Sequence, residues 1–487
     1  MKKQRTSICF FFILALLGLQ TNLKAQPGRV VIYPSPQGEQ LSHEYQVKVG
    51  DQNVPVYEAK IAPEDREKRW KAMDDKKNSV DYFDTGAFAY FDMQGSVTVT
   101  VSISSPINKA KILPTSAGII PAIHGNSITF TVDSPKNLTV EINDEWIRSL
   151  HLFINPLEKD IPEKTDPDVI YFDPGIHEIS HLVVGDNKTV YIAGGAIVRA
   201  VLGPDEEYSV SSSTGLRSYS SPTIELRGKN IKVCGRGILD ASGCTTHSRS
   251  MISVNGSNIR IEGIILRDSP TWTIPIHESD GVTVNNVKLI GYRANSDGID
   301  ICNSQNVTVE GCFIRTLDDL IVIKTVKNGK KEAKHIVAKG CVLWNQVAHA
   351  LSIGAEITSD VSDVVFTDCD IIHDQGREWS LRVFQSDAAR VSNICFENIR
   401  IEESIRFISL WIGKTIWSSD QDAGQIQGIS FKNIRVFGSP LTLQLEGFDK
   451  EHGIRKVLFQ DILLNNKPLN SDMIQKNSFV ENVIIRP

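Results

Sequence analysis

The segment NSDGIDICNSQNVTVEGCFIRTLDD, residues 295–319, places Asp297 near its start and the adjacent Asp318 and Asp319 at its end, 21 and 22 residues later. Carboxyl groups brought close together cannot all ionise freely, so one keeps its proton near neutral pH while a neighbour stays charged. A carboxylic acid that protonates a leaving oxygen, paired with a carboxylate that activates water or attacks carbon, is the division of labour that hydrolyses a glycosidic bond. Further along, His349 and Arg382 offer an imidazole and a guanidinium. Each residue alone also has a bland reading: a turn aspartate, a solvated Asp-Asp corner, a packed histidine, a surface ion-pair partner. The chemistry requires that the intervening chain bring them to one place.

That chain is repetitive. From Asn230 a short pattern returns as NIKVCGRGIL, NIRIEGIILR, GVTVNNVKLI, NVTVEGCFIR, HIVAKGCVLW, DVVFTDCDII, NICFENIRIE, GISFKNIRVF and KVLFQDILLN, with starts 23 to 35 residues apart. Each unit is a short alternating strand, a polar or glycine corner and a second short strand, with no helical stretch between units. The pattern predicts a parallel β-helix in which each unit is one coil, paired with the coils above and below at about 4.8 Å. Residues one period apart then become vertical neighbours. Asp297 lies 16 residues into its unit, Asp318 and Asp319 lie 12 and 13 into the next, His349 lies 14 into the third and Arg382 lies 19 into the fourth. All five therefore fall in one sector of four consecutive coils. Asp318 and Asp319 would face opposite ways in a regular strand, and a bend at Leu317 would let both reach a cleft. Cys312, Cys341 and Cys369 occupy position seven of three successive units, which predicts a buried ladder of small side chains, with a disulfide or metal role as the alternative.

Upstream, VIYFDPGIHEI and KTVYIAGGAIVRA read as the opening coils, whereas residues 26 to about 160 carry longer alternating strands joined by Pro, Asn and Gly turns. That spacing predicts a small antiparallel β-sandwich over 26–160, a Pro- and charge-rich junction EKDIPEKTDPDV, and a β-helix over 161–487. The first residues, MKKQRTSICFFFILALLGLQTNLKAQ, combine a basic start with a short apolar run and read as a cleaved signal peptide, residues 1–25, hence a secreted or periplasmic chain. No later run reaches membrane-spanning length. At 487 residues and a net charge of −6, the chain is too long for one ordinary core and has no electrostatic case for nucleic acid. Beyond Cys9 there are seven cysteines with no CxxC spacing, so neither a zinc site nor a full disulfide framework is expected. A monomer is expected.

NSDGID, LDDLIVIK, AHALSIG and LRVF, preceded by NIRIEGIILRDSPTWTI, resemble the ordered motifs of the polygalacturonases, glycoside hydrolase family 28, over roughly residues 165–487. The dextranase-type family 49 enzymes are similar in carrying the aspartate trio and a β-sandwich ahead of the helix. The resemblance implies an all-β, pectin-lyase-like right-handed parallel β-helix acting on a polysaccharide by inversion, with no cofactor and no metal. It implies Asp318 as general acid, Asp297 and Asp319 as the groups that hold and deprotonate water, His349 as the residue tuning the acid, and Arg382 as substrate-binding. The chain departs from the family pattern at Ala348-His349-Ala350, where the family has Gly-His-Gly, and at Arg382-Val383-Phe384, where it has Arg-Ile-Lys. Phenylalanine cannot pair with a uronate, and an aromatic face suits the C–H side of a neutral sugar, so the substrate is either pectic or a related neutral glycan. Lys324 and Lys414 are candidate substitutes for the missing lysine, and Trp272, Trp411 and Trp417 are candidate stacking platforms or packed corners. Two rival functions share the fold: a polysaccharide lyase whose aspartates hold calcium, and a glycan-binding β-helix without turnover.

Overall fold

The computed structural model describes residues 28–74, 82–212 and 214–487; the expected signal segment, 1–25, lies outside them. Two sheets open the described chain. One contains β1 (Arg29–Val31), β4 (Val56–Ile61), β5 (Asp84–Gln94), β7 (Ala110–Leu113), β10 (Lys136–Ile142) and β11 (Glu145–Pro156); the other contains β2 (Gln46–Val49), β3 (Gln52–Val54), β6 (Val97–Ser102), β8 (Ala122–His124) and β9 (Ser127–Val132). Alternation drives their packing: Val97, Val99 and Val101 of β6 are buried with Leu138 and Val140 of β10 and with Leu150, Leu152 and Ile154 of β11. The pairings are antiparallel apart from β11 on β5, which run parallel from Leu150↔Ala87 to Pro156↔Met93. The sequence pattern also misses a helix, α1 (Arg66–Asp74), whose residues REKRWKAMD carry no apolar stripe; Asp65 Oδ1 accepts the Lys68 N–H (3.0 Å) as its N-cap.

From Val169 to Arg486 the chain winds as a solenoid of 30 strands, paired in parallel apart from a terminal hairpin at Leu463↔Pro468. One local rule sets its corners. The first residue of all nine repeat units has positive φ: Asn230 (57°), Asn258 (53°), Gly281 (70°), Asn306 (54°), His335 (56°), Asp363 (55°), Asn393 (55°), Gly428 (68°) and Lys456 (60°). Asn, Asp and Gly tolerate this left-handed conformation, which turns the chain from one strand to the next. Their side chains also tie coils together, as in Asn258 Nδ2 to Asn230 Oδ1 (2.8 Å) and Asn306 Nδ2 to Asp280 Oδ1 (2.7 Å). Inside the corners, Phe366, Phe396, Phe431 and Phe459 stack with centroids 4.8, 5.0 and 5.2 Å apart, the spacing of paired strands. Cys312, Cys341 and Cys369 are fully buried free thiols in the same core.

Short strands such as Ile265–Arg267, Lys288–Ile290, Phe313–Arg315 and Val342–Asn345 form the face that meets the sandwich. Ile265, Ile290, Phe313 and Trp344 from this face share an apolar cluster with Tyr57, Phe88, Tyr90 and Phe153. Buried ion pairs fix the register across it, with Arg236 Nε 2.9 Å from Asp92 and Arg267 Nη1 2.8 Å from Glu39. His373, its ring tilted against Trp344 with centroids 4.3 Å apart, lies 2.5 Å from Glu141 of β10 and 3.3 Å from Glu403 of the solenoid. Burial disfavours its charge, but hydrogen bonds to Glu141 and Glu403 outweigh that and raise its pKa above the ordinary histidine value. A raised folded-state pKa contributes stability that is complete below the unfolded value and is lost as pH rises through the folded one. His373→Gln is therefore expected to lower unfolding free energy by about 2 kcal/mol in urea titrations at pH 6 and by less at pH 9.

Candidate active site

The face that carries the candidate residues consists of strands Ile274–His277, Ile299–Cys302, Ile321–Thr325, Leu351–Ile357 and Leu381–Gln385. Their register aligns Ile299, Ile321, Leu351 and Leu381. Just ahead of these strands the Gly298 N–H donates to the Asp319 carbonyl (2.7 Å) and the Leu320 N–H to the His349 carbonyl (2.9 Å), so Asp297, Asp319 and His349 form one column. The chain bends at Leu317 and Asp318, and both aspartates of the pair reach the same cleft. Leu317 is held there from outside the solenoid: it is buried with Val347 and with Ala62, Trp70 and Tyr82 of the N-terminal domain. One oxygen each of Asp297, Asp318 and Asp319 lies within 4.8 Å of the others, close enough to act on one linkage or to share one divalent cation. Arg382 stands further along, in register with Ser352, and its length brings Nη1 within 3.0 Å of His349 Nε2.

These contacts set the charges. The Asp318 carboxyl is pushed up to about 6, by burial first and then by the Asp319 charge. Its oxygens are fixed by the Asp319 N–H (3.0 Å) and by Asn295 Nδ2 (3.2 Å), and Asn295 is itself 2.9 Å from His247 Nε2. Burial acts on Asp319 too, but His349 outweighs it and holds this carboxyl below the usual range. His349 Nδ1 lies 2.5 Å from Asp319 Oδ1. Because an arginine N–H can only donate, Nε2 of His349 accepts from Arg382 and Nδ1 carries the proton offered to Asp319. Asp297 is raised well above the ordinary value by burial and by Asp300, and its Oδ1 is buried without a hydrogen-bond partner.

All eight expected residues, namely Asp297, Asp318, Asp319, His349, Arg382, Phe384, Lys324 and Trp272, line a single cleft of about 830 Å³. Another cavity, of about 750 Å³ at the junction of the two domains, contains none of them. Lys324 is buried, with Nζ 3.4 Å from Asp297, 3.1 Å from Asp300 and 4.1 Å from the Trp272 ring centroid. Lys414 does not line the cleft; its ammonium donates to the carbonyls of Ser386, Asp420 and Asp422. Asp300, Asn295, His247 and Glu378 were missed by motif spacing. Asp300 had a signal, since in the strand IDIC it alternates with core residues Ile299 and Ile301 and so faces outward beside the cleft. Glu378, 2.7 Å from Arg382, had none, because it sits in the irregular stretch before its strand.

Residues 220–438, which contain the whole cluster, match the glycosyl hydrolases family 28. The match covers less than half of the chain. Among curated proteins, a polygalacturonase of Chamaecyparis obtusa is 28% identical over 181 residues, covering 35% of this chain and 34% of that protein. An endo-polygalacturonase of Pectobacterium carotovorum subsp. carotovorum is 30% identical over 147 residues, covering 28% and 34%. The chain thus spans about a third of the length of these relatives. Among solved structures, Dex49A from Penicillium minioluteum superposes with a TM-score of 0.58 at 15% identity, covering 93% of this chain and 96% of that one, so the likeness of fold runs through both domains. An exopolygalacturonase of Thermotoga maritima, at 18% identity and a TM-score of 0.52, covers 65% of this chain and 84% of its own. The parallel β-helix that contains the matched stretch is therefore the fold shared with these structures.

Proposed function

We propose that this protein is an exported glycoside hydrolase that cleaves a polysaccharide by inversion, its β-sandwich (26–160) bracing the catalytic β-helix (161–487). The observation that carries the reading is the opposed tuning of two adjacent carboxyls: Asp318 holds a proton up to about pH 6, while Asp319 is kept ionised by His349. In this mechanism Asp318 protonates the leaving oxygen, Asp319 takes the proton of the attacking water, and Asp297, in the same cleft, helps hold that water. Arg382 fixes the His349 tautomer and lines the substrate path. The cluster acts on the bond; the sugars are selected by the flanking walls.

The rival lyase reading places calcium between the three aspartates, and the 4.8 Å grouping of their oxygens admits it. Products separate the two. Saturated reducing ends, formed equally with and without a chelator, are expected; ultraviolet-absorbing unsaturated ends lost on chelation would establish the lyase. The short spacing also bears on stereochemistry, since inverting enzymes hold their carboxyls about 6.5–9.5 Å apart and retaining ones about 5–5.5 Å. Proton NMR of the first product is expected to show the inverted anomer, with water activated by Asp319; a retained anomer would make one of these aspartates a nucleophile instead.

A further inference from the structure

Three cations line the cleft, and each is already engaged. Lys324 lies between Asp297 and Asp300, Arg382 pairs with Glu378 at 2.7 Å, and Arg377 has a partner of its own. Against them stand five carboxyl groups: Asp297, Asp318, Asp319, Glu356 and Glu378. A uronate entering here would bring a further negative charge on each sugar into a half-enclosed site whose cations are occupied.

The cleft offers something else. On the outward side of the strands, Gly354, Phe384 and Trp411 are in register on successive coils. Phe384 carries the Arg382 guanidinium 4.1 Å from its ring centroid and meets the Trp411 ring edge-on at 5.1 Å, which fixes its plane. Gly354, at φ 104°, packs directly against the Phe384 backbone, where a Cβ would meet the Phe384 carbonyl at 1.8 Å, so only glycine fits on that coil. Among the lining residues Trp417 is 49% exposed and Ile416 88% exposed, and half-buried Trp272 lines the same cleft. Aromatic and apolar surface of this kind binds the C–H faces of sugars.

We infer that the substrate of this site is a neutral glycan, whose rings pack along Phe384, Trp417 and Trp272, and not a polyuronate. The inference rests on the hydrolytic reading above and deepens it to the class of sugar. Its test compares kcat/KM of the wild type on polygalacturonate, dextran, β-1,4-galactan and arabinan, and measures binding of the same polymers to Asp318→Asn by calorimetry. The best neutral polymer is expected to exceed polygalacturonate at least tenfold in both, with binding insensitive to salt. Phe384→Lys is expected to narrow that ratio at least fivefold, and Phe384→Leu to weaken neutral binding without any gain on polygalacturonate. Polygalacturonate cleaved or bound as well as the best neutral polymer overturns the inference, as does failure to bind any neutral polymer. Retention of turnover by Asp318→Asn would instead overturn the hydrolytic reading, which separates the two failures.

Discussion

Asp318→Asn should lower kcat by about 10²–10⁴-fold while leaving the thermal midpoint nearly unchanged. Asparagine keeps the shape of the side chain and its oxygen still accepts the Asp319 N–H; its amide nitrogen cannot accept from Asn295, and it has no proton of suitable acidity to give. The wild-type pH profile should be a bell. Its basic limb should fall near 6, where Asp318 loses its proton; its acidic limb should lie below the ordinary carboxylate range, where Asp319 gains one. His349→Ala removes the group that holds Asp319 down, so the acidic limb should move upward and the bell should narrow. Measurement of kcat/KM from pH 3 to 9 on the preferred polymer checks both statements. A variant Asp318→Asn with a normal rate, or a basic limb unaffected by the change, would remove Asp318 from the role of acid.

Lys324→Met should cost about 3–5 kcal/mol of stability at pH 8, the range for breaking a buried ion pair from one side. Its ammonium is the cation closest to Asp297 and Asp300, and all three side chains are at most 6% exposed. The pH dependence has a definite sign. Burial raises Asp300 to about 7 and raises Asp297 well above its ordinary value, so the folded state binds more protons than the unfolded chain between about pH 4 and those raised values. Stability then falls as pH rises through that window. Without Lys324 both carboxyls depend wholly on protonation, so the loss should be smaller at pH 5 than at pH 8 in urea unfolding. Equal losses at the two pH values would mean that Lys324 contributes packing only.

The path from sequence to site was short where geometry is local. Asn, Asp and Gly at the head of seven of the nine repeats mark corners that need positive φ, and alternating strands between them leave the chain few ways to wind. The period alone was therefore enough to bring Asp297, Asp319 and His349 into one column. Arg382 stands beyond that column and joins it through side-chain length. The helix α1 and the parallel pairing of β11 with β5 were not legible, because the first has no apolar periodicity and the second joins residues 63 apart, Leu150 and Phe153 against Ala87 and Tyr90.

By itself, the sequence determined that the chain would coil, where each coil would turn, and which acids would lie above one another. Only the tertiary structure decided what those acids are. Asp319 is held ionised because His349 reaches it, Asp318 holds its proton longer because burial and the Asp319 charge oppose its ionisation, and Lys324 is tied to Asp297 and Asp300. The physical reason is that a repeat period sets where the backbone passes, whereas ionisation depends on side-chain direction and on water being excluded, and both are set by contacts such as Leu317 with Trp70 that arise far away along the chain.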